Sequence, residues 1–232
     1  MFKVLKLKPI IIGTSLVLVS IMFSVGIVSV VSHKEIPKPT ITIVLDAGHG
    51  GRDDGCSGVN GSKESVINLR ITKTLKEYLN TLGLNVVLTR YDEHGLYDSN
   101  VDNYKLSDME NRLKIINDAN ADMIISIHQN SYSDSSQKGA QVFFQEDDEV
   151  SKNFADRVQN QLIKQLPNAR KESIKGDYYL LKESNLPAII VECGYLTNAE
   201  EEKLLTSDSY QQKVAYSIMC GVVSYFDLCG ND

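Results

Sequence analysis

Residues 41–51 read ITIVLDAGHGG: an apolar, β-branched run that meets an aspartate and then turns through three glycines around one histidine. A run of this kind, without polar alternation, suits a strand buried on both faces, as in a parallel sheet covered by helices. The glycines mark the turn at its carboxyl end. Similar stretches recur at 85–89, 123–128, 140–145 and 188–192, and MIISI (123–127) and AIIV (188–191) are as continuously apolar as the first.

Helical periodicity fills the gaps. Ile67, Ile71, Leu75, Tyr78 and Leu82 recur at three- and four-residue steps before Gly83, which supplies a stop. Ser107 and Glu110 have the spacing of a capping box for a helix buried through Met109, Leu113 and Ile116. Phe154, Val158, Leu162 and Leu166 form a third stripe ended by Pro167, Asn198 and Glu201 offer another capping box, and Tyr210, Val214, Ile218, Val222 and Tyr225 mark a last long helix. The polar stretch 91–106 reads as a surface loop. Alternation of this kind predicts an α/β fold: one domain with a mostly parallel, twisted sheet flanked by helices and joined by right-handed crossovers.

That domain occupies residues 41–228. Ahead of it, Lys3, Lys6 and Lys8 precede an uncharged, strongly apolar run over 9–31. As a helix it would extend roughly 34 Å, enough to cross a bilayer. It exceeds the apolar core of a secretory signal and contains no alanine for an A-x-A cleavage site. Residues 1–32 are therefore expected to be a membrane-anchor helix, the alternative being a signal segment cut near Ser32. Residues 33–40, with Pro37 and Pro39, form a linker. The leading lysines place the domain on the extracytoplasmic face.

The net charge is −6, but residues 1–39 hold five lysines against one glutamate, leaving −10 on the remainder. A body that acidic excludes nucleic acid as a partner, which needs a basic footprint. It also excludes simple electrostatic adhesion to an anionic polymer, so such a target would be engaged by specific contacts or through a recruiting or activating protein. The four cysteines (Cys56, Cys193, Cys220, Cys229) lack C-x-x-C spacing, which argues against a cysteine zinc knuckle. Cys220 and Cys229 are near enough in sequence to pair, or to remain free thiols.

In open α/β folds, sites gather beyond the carboxyl ends of strands. The first strand leads to His49, the third ends on His128, the 188–192 strand ends on Glu192, and Glu64 opens the first long helix. Two imidazoles and a carboxylate are a common hydrolytic zinc set that leaves a position for water, and a separate carboxylate then moves the proton. Each residue also has a structural alternative: a strand-end histidine is often a satisfied packing residue, and Glu64 alone suits the positive end of a helix. No H-E-x-x-H is present. His33 and His94 read as surface residues, and Arg90 and Arg112 read equally as structural ion-pair formers or as groups orienting a site.

Taken in order, LDAGHGGRDDG (45–55), Lys63-Glu64, VVLTRYDE (86–93), ENR (110–112), ISIHQN (125–130) and LPAIIVECGYLTN (186–198) resemble the zinc-dependent N-acetylmuramoyl-L-alanine amidases of the amidase-3 type. The resemblance covers about residues 41–226. It implies Zn2+ held by His49, Glu64 and His128, Glu192 as catalytic acid/base, and peptidoglycan as substrate, cut at the amide between N-acetylmuramic acid and L-alanine. A bare catalytic domain behind one anchor is similar to the sporulation and germination members of that family. That likeness implies spore cortex peptidoglycan, a step toward muramic-δ-lactam, and a place in the forespore intermembrane space. The rival readings are another zinc peptidoglycan peptidase and a membrane-tethered, non-catalytic wall-binding protein. No substrate-binding residue and no role for Cys193 emerge from the sequence.

Overall fold

The computed structural model describes residues 41–228; the anchor expected over 1–32, the linker over 33–40, and Cys229 lie outside them. Six strands, β1 (Thr42–Ala47), β2 (Asn85–Leu88), β3 (Met123–Asn130), β4 (Gln141–Phe144), β5 (Ile174–Lys175) and β6 (Ala188–Tyr195), form one sheet in the order β2-β1-β3-β6-β4-β5. All neighbouring pairs are parallel except β4 with β6. Six helices accompany them: α1 (Glu64–Thr81), α2 (Tyr104–Asp118), α3 (Glu149–Gln165), α4 (Tyr179–Glu183), α5 (Ala199–Leu205) and α6 (Asp208–Phe226). Among the described residues no helix is long and apolar enough to cross a membrane.

The alternation of side chains along each strand divides the core in two. Ile43, Leu45, Ile125, Ile127, Val191 and Cys193 pack with the apolar faces of α1, α3 and α6, while Val44, Ile124, Ala188 and Ile190 pack with Ile116, Leu180 and Leu181 from α2 and α4. Both faces are covered, which is why β1 is fully buried along its length. From β1 the chain steps outward to β2 and then returns across β1 to β3. The carboxyl ends of β1 and β3 therefore flank a reversal of strand order, where a crevice opens in such sheets.

The structure bears out the α/β fold class and corrects four local expectations. The 91–106 loop ends early, because α2 begins at Tyr104 with Asn103 as its cap, accepting from Leu106 N at 3.2 Å. Ser107 and Glu110 form no capping box there; the Ser107 hydroxyl donates instead to Asp98 Oδ2 at 3.2 Å. The buried side of α2 is Ser107, Asp108, Arg112 and Ile116, mostly polar because it faces the crevice. At α5, Asn198 does cap the helix, but the Glu201 carboxylate accepts from Gly139 N and Tyr195 N rather than closing the box. Strand β5 and helix α4 are too short, at two and five residues, to leave a periodic signal in the sequence.

Helices α3 and α6 meet at Gly221, where an added Cβ would lie 2.7 Å from Val158 Cα. The obstacle is backbone and cannot swing aside. Gly221→Val is expected to destabilise the domain by about 1–3 kcal/mol through overpacking, read as a lower urea-unfolding midpoint; an unchanged midpoint would contradict this close approach.

Candidate metal centre and catalytic crevice

Two buried guanidinium groups build the floor of the crevice. Arg90 donates to Ala47 O (2.8 Å), Gly48 O (3.1 Å), Ser65 O (2.7 Å) and Asp92 O (2.7 Å). Arg112 donates to Ala47 O (2.8 Å) and His49 O (2.6 Å), and pairs with Asp46 (2.5 Å) and Asp108 (2.6 Å). Between them they satisfy the carbonyls of the turn after β1. The turn needs that support, since His49 itself has φ 62 and is followed by Gly50 and Gly51 at φ 139 and 62. A non-glycine residue in the left-handed region costs roughly 1–2 kcal/mol. Both arginines thus form ion pairs or carbonyl contacts and orient the site at once.

Burial alone would raise the Asp46 carboxyl, but the Arg112 guanidinium, with the Ser126 and Thr89 hydroxyls, outweighs it and holds the group well below the usual carboxylate range.

The structure brings His49, Glu64 and His128 together as a group able to hold a metal ion, with one ligand atom from each lying within 4.8 Å of the others. Glu64 Oε1 is 3.2 Å from His49 Nε2 and 2.9 Å from His128 Nδ1. Two ligand atoms sharing a tetrahedral zinc at about 2.0–2.1 Å stand roughly 3.3 Å apart, so the set fits such an ion. Two glycines make room. An added Cβ at Gly48 would fall 2.2 Å from the His128 ring, and one at Gly55 would fall 2.4 Å from Glu64 Oε2. The Glu64 carboxylate also accepts from Cys56 N (2.8 Å) and Gln129 N (3.1 Å). Burial opposes its charge, yet the His128 and His49 imidazoles prevail and keep it ionised far below its ordinary value. His49 responds in kind: burial lowers its basicity, but Glu64 and then Asp53 push it up to about 9. A cluster that draws protons this strongly is one that draws cations.

Asp53 was not singled out from the sequence. Its Oδ2 lies 2.7 Å from His49 Nδ1, the carboxylate–imidazole arrangement that fixes the orientation of a ligating ring. The available signal was the RDDG following the glycine turn, four residues beyond the histidine.

Glu192 pairs in register with His128 across β3 and β6, so the two side chains share the face that carries Asp46 and Ser126. It is buried, and that burial pushes its carboxyl up to about 7, with His128 pulling down and Glu64 adding to the rise. The Tyr178 hydroxyl lies 3.4 Å from Oε1, while Oε2 has no partner among the described residues. A buried carboxylate oxygen without a partner is costly unless something else engages it. Tyr178 lies in a patternless stretch, and nothing in the sequence marked it. Beside these groups a cleft of about 290 Å³ opens between α2 and α4, lined by His49, His128, Tyr97, Tyr104, Lys105 and Tyr178. Cys193 is a buried free thiol whose Sγ reaches Val191 O, and Cys56 and Cys220 are also free. His94 is exposed, as expected.

The Asp46–Arg112 pair has a pH signature. Because the folded carboxyl is held below its unfolded value of 3.8, its contribution is complete above about pH 5 and fades as pH falls through and below 4. The stability gap between the wild type and Asp46→Asn, measured by urea unfolding, is expected to stay level from pH 6 to about pH 5 and to narrow from there to pH 3. A gap that stays constant or widens over that lower range would refute the assignment.

Comparison with known proteins agrees with this geometry. The family described as N-acetylmuramoyl-L-alanine amidase matches residues 43–224. The structure of the CwlD amidase from Clostridioides difficile in complex with the GerS lipoprotein superposes with a TM-score of 0.77 at 37% identity, covering 81% of this chain and 99% of that one. The germination-specific N-acetylmuramoyl-L-alanine amidase of Bacillus subtilis is 34% identical over 188 residues, 79% of each chain. The uncharacterized protein YqiI of the same organism is 35% identical over 188 residues, 80% of this chain and 85% of its own. With the family matched from β1 into α6, across every element that carries the crevice, this chain belongs to the N-acetylmuramoyl-L-alanine amidases.

Proposed function

We propose that this amidase is zinc-dependent, with His49, Glu64 and His128 as the metal ligands and Glu192 as the acid/base. The observation that carries the reading is the placement of Glu64 Oε1 within 3.2 Å of both imidazoles, with Glu192 opposite His128 in the sheet. When bound, zinc supplies positive charge that polarises the scissile carbonyl and acidifies water. The rest falls to the chain's own residues. Glu192 accepts a proton from the attacking water as the new C–O bond forms at the lactyl carbonyl. The C–N bond then breaks, and Glu192 returns that proton to the departing L-alanine amine. A carboxyl near pH 7 in affinity is suited to both transfers. Tyr178 steadies Oε1, which leaves the unpartnered Oε2 to handle the proton. Asp53 keeps the His49 ring turned toward the metal position.

The proposed substrate is spore cortex peptidoglycan, cut as a step toward muramic-δ-lactam. Support comes from the likeness to CwlD and to a germination-specific amidase. The proposed location is the extracytoplasmic face of the membrane, in the forespore intermembrane space, with residues 1–32 as anchor. A protein partner that recruits or activates the enzyme is part of the proposal, supported by the acidic body and by a related amidase having been solved with a lipoprotein.

Glu192→Ala is expected to keep stoichiometric zinc by metal analysis yet lose peptide release by about 10²- to 10⁴-fold, the scale of general acid/base catalysis. His128→Ala is expected to lose both metal and activity. Mass spectrometry of digested peptidoglycan should show a new L-alanine amino terminus that a chelator abolishes. Cleavage within the stem peptide, or turnover retained by Glu192→Ala, would overturn the reading.

A further inference from the structure

We propose that the cleft between α2 and α4 receives the stem peptide, and that Lys105 binds the free α-carboxylate of its second residue, the γ-linked D-glutamate. This rests on the amidase reading above and adds a specificity-determining residue to it.

Lys105 occupies the first turn of α2, where no acidic residue balances the helix end. A cation there is unfavourable for the helix itself, so the position asks for a reason outside local folding. Its ammonium reaches Asp53 Oδ1 at 3.2 Å, and Asp53 Oδ2 in turn meets His49 Nδ1 at 2.7 Å. Lys105 is therefore two contacts from a candidate metal ligand while its side chain is 63% exposed. An ammonium carries three donors and Asp53 engages one. The other charged groups of the cleft are already matched: Asp46 and Asp108 both pair with Arg112. Among the described residues lining the cleft, Lys105 is thus a cation open to an incoming anion.

The chemistry of the lining fits a peptide. Met109 and Leu180 give apolar wall beside the tyrosines, suited to the alanine methyl and the glutamate methylenes. Lys105 lines the same cleft as His49 and His128, and two residues of extended peptide, about 7 Å long, would lie along that shared wall. The segment beyond residue 39 bears −10 in total, so an anionic peptide is repelled at long range and gains most from a cation placed at its docking point. A sugar stacked on Tyr97 and Tyr104 is the competing occupant.

The test uses the full-length, zinc-loaded protein and two soluble N-acetylmuramoyl-L-alanyl peptides, one with γ-D-glutamate and one with its α-carboxamide, D-isoglutamine. Wild type should favour the acid in kcat/KM by about tenfold, the worth of one charge-assisted contact. Lys105→Gln should bring that ratio close to one, and Lys105→Arg should restore much of it. No preference in the wild type, or a preference that survives in Lys105→Gln, overturns the proposal. So does an equal loss on both peptides, since that would mean Lys105 acts only through Asp53 and His49. If neither peptide is cut at the lactyl amide by the protein alone or with an extract of the same cells supplying the proposed partner, the amidase reading has failed. Calorimetric binding of the same two uncut peptides to wild type and Lys105→Gln then decides the Lys105 assignment on the same ratio.

Discussion

Everything in the crevice depends on the pair of guanidinium groups that hold the turn after β1. Arg90 and Arg112 converge on the carbonyls of residues 47–49, and Arg112 also carries two carboxylates. The turn they hold is one the chain would not adopt unaided, with His49 left-handed between Gly48 and Gly50. Such strain persists where the surroundings over-determine it. Here the surroundings are charged donors with fixed fork geometry, which a lysine could not reproduce. The outcome is an imidazole aimed away from the strand, toward Glu64, rather than back onto the sheet. The Arg112 charge is matched by Asp46 and Asp108 and the Arg90 charge is met by four carbonyls, so the network specifies a geometry more than it adds stability.

With that geometry fixed, the site separates two glutamates by environment alone. Glu64 sits between two imidazoles and accepts from two backbone amides, which keeps it ionised. Glu192 lies on the neighbouring strand with a single long contact from Tyr178, and burial raises it toward neutrality. Carboxylates whose environments push them apart in this way take different chemical roles. One suits a cation and the other a travelling proton. His128 and Glu192 come from one face of the sheet as register partners beside the reversal of strand order, while Glu64 reaches the site from the start of α1.

Much of this was legible in the sequence because it is written in strong local signals. The apolar runs at 43–45, 123–125 and 188–191 require two covered faces, and the groups just beyond them fall near the strand ends. His49, His128 and Glu192 follow or end such runs, Glu64 opens a helix within the ordered motifs, and the structure gathers His49, Glu64 and His128 into one group able to hold a metal. Asp53, Tyr178 and Lys105 were not, because each acts across segments that the chain brings together only on folding: Asp53 with Lys105 from α2, and Tyr178 with β6. The start of α2 at Tyr104 is hidden in the sequence for a related reason. Its buried face is Asp108 and Arg112 rather than an apolar stripe, so periodicity underestimates it. Arg90 and Arg112 were visible as charges, but their satisfaction by backbone carbonyls has no sequence signature.

In the proposed centre three side chains hold one zinc ion while Glu192 stands apart from it. Anomalous diffraction at the zinc edge from crystals of the metal-loaded protein tests this directly. One peak is expected, at about 2.0–2.2 Å from His49 Nε2, His128 Nδ1 and a Glu64 carboxylate oxygen, with Glu192 outside bonding distance. A peak ligated by Glu192 or Asp53, or no peak between these three residues, would contradict it.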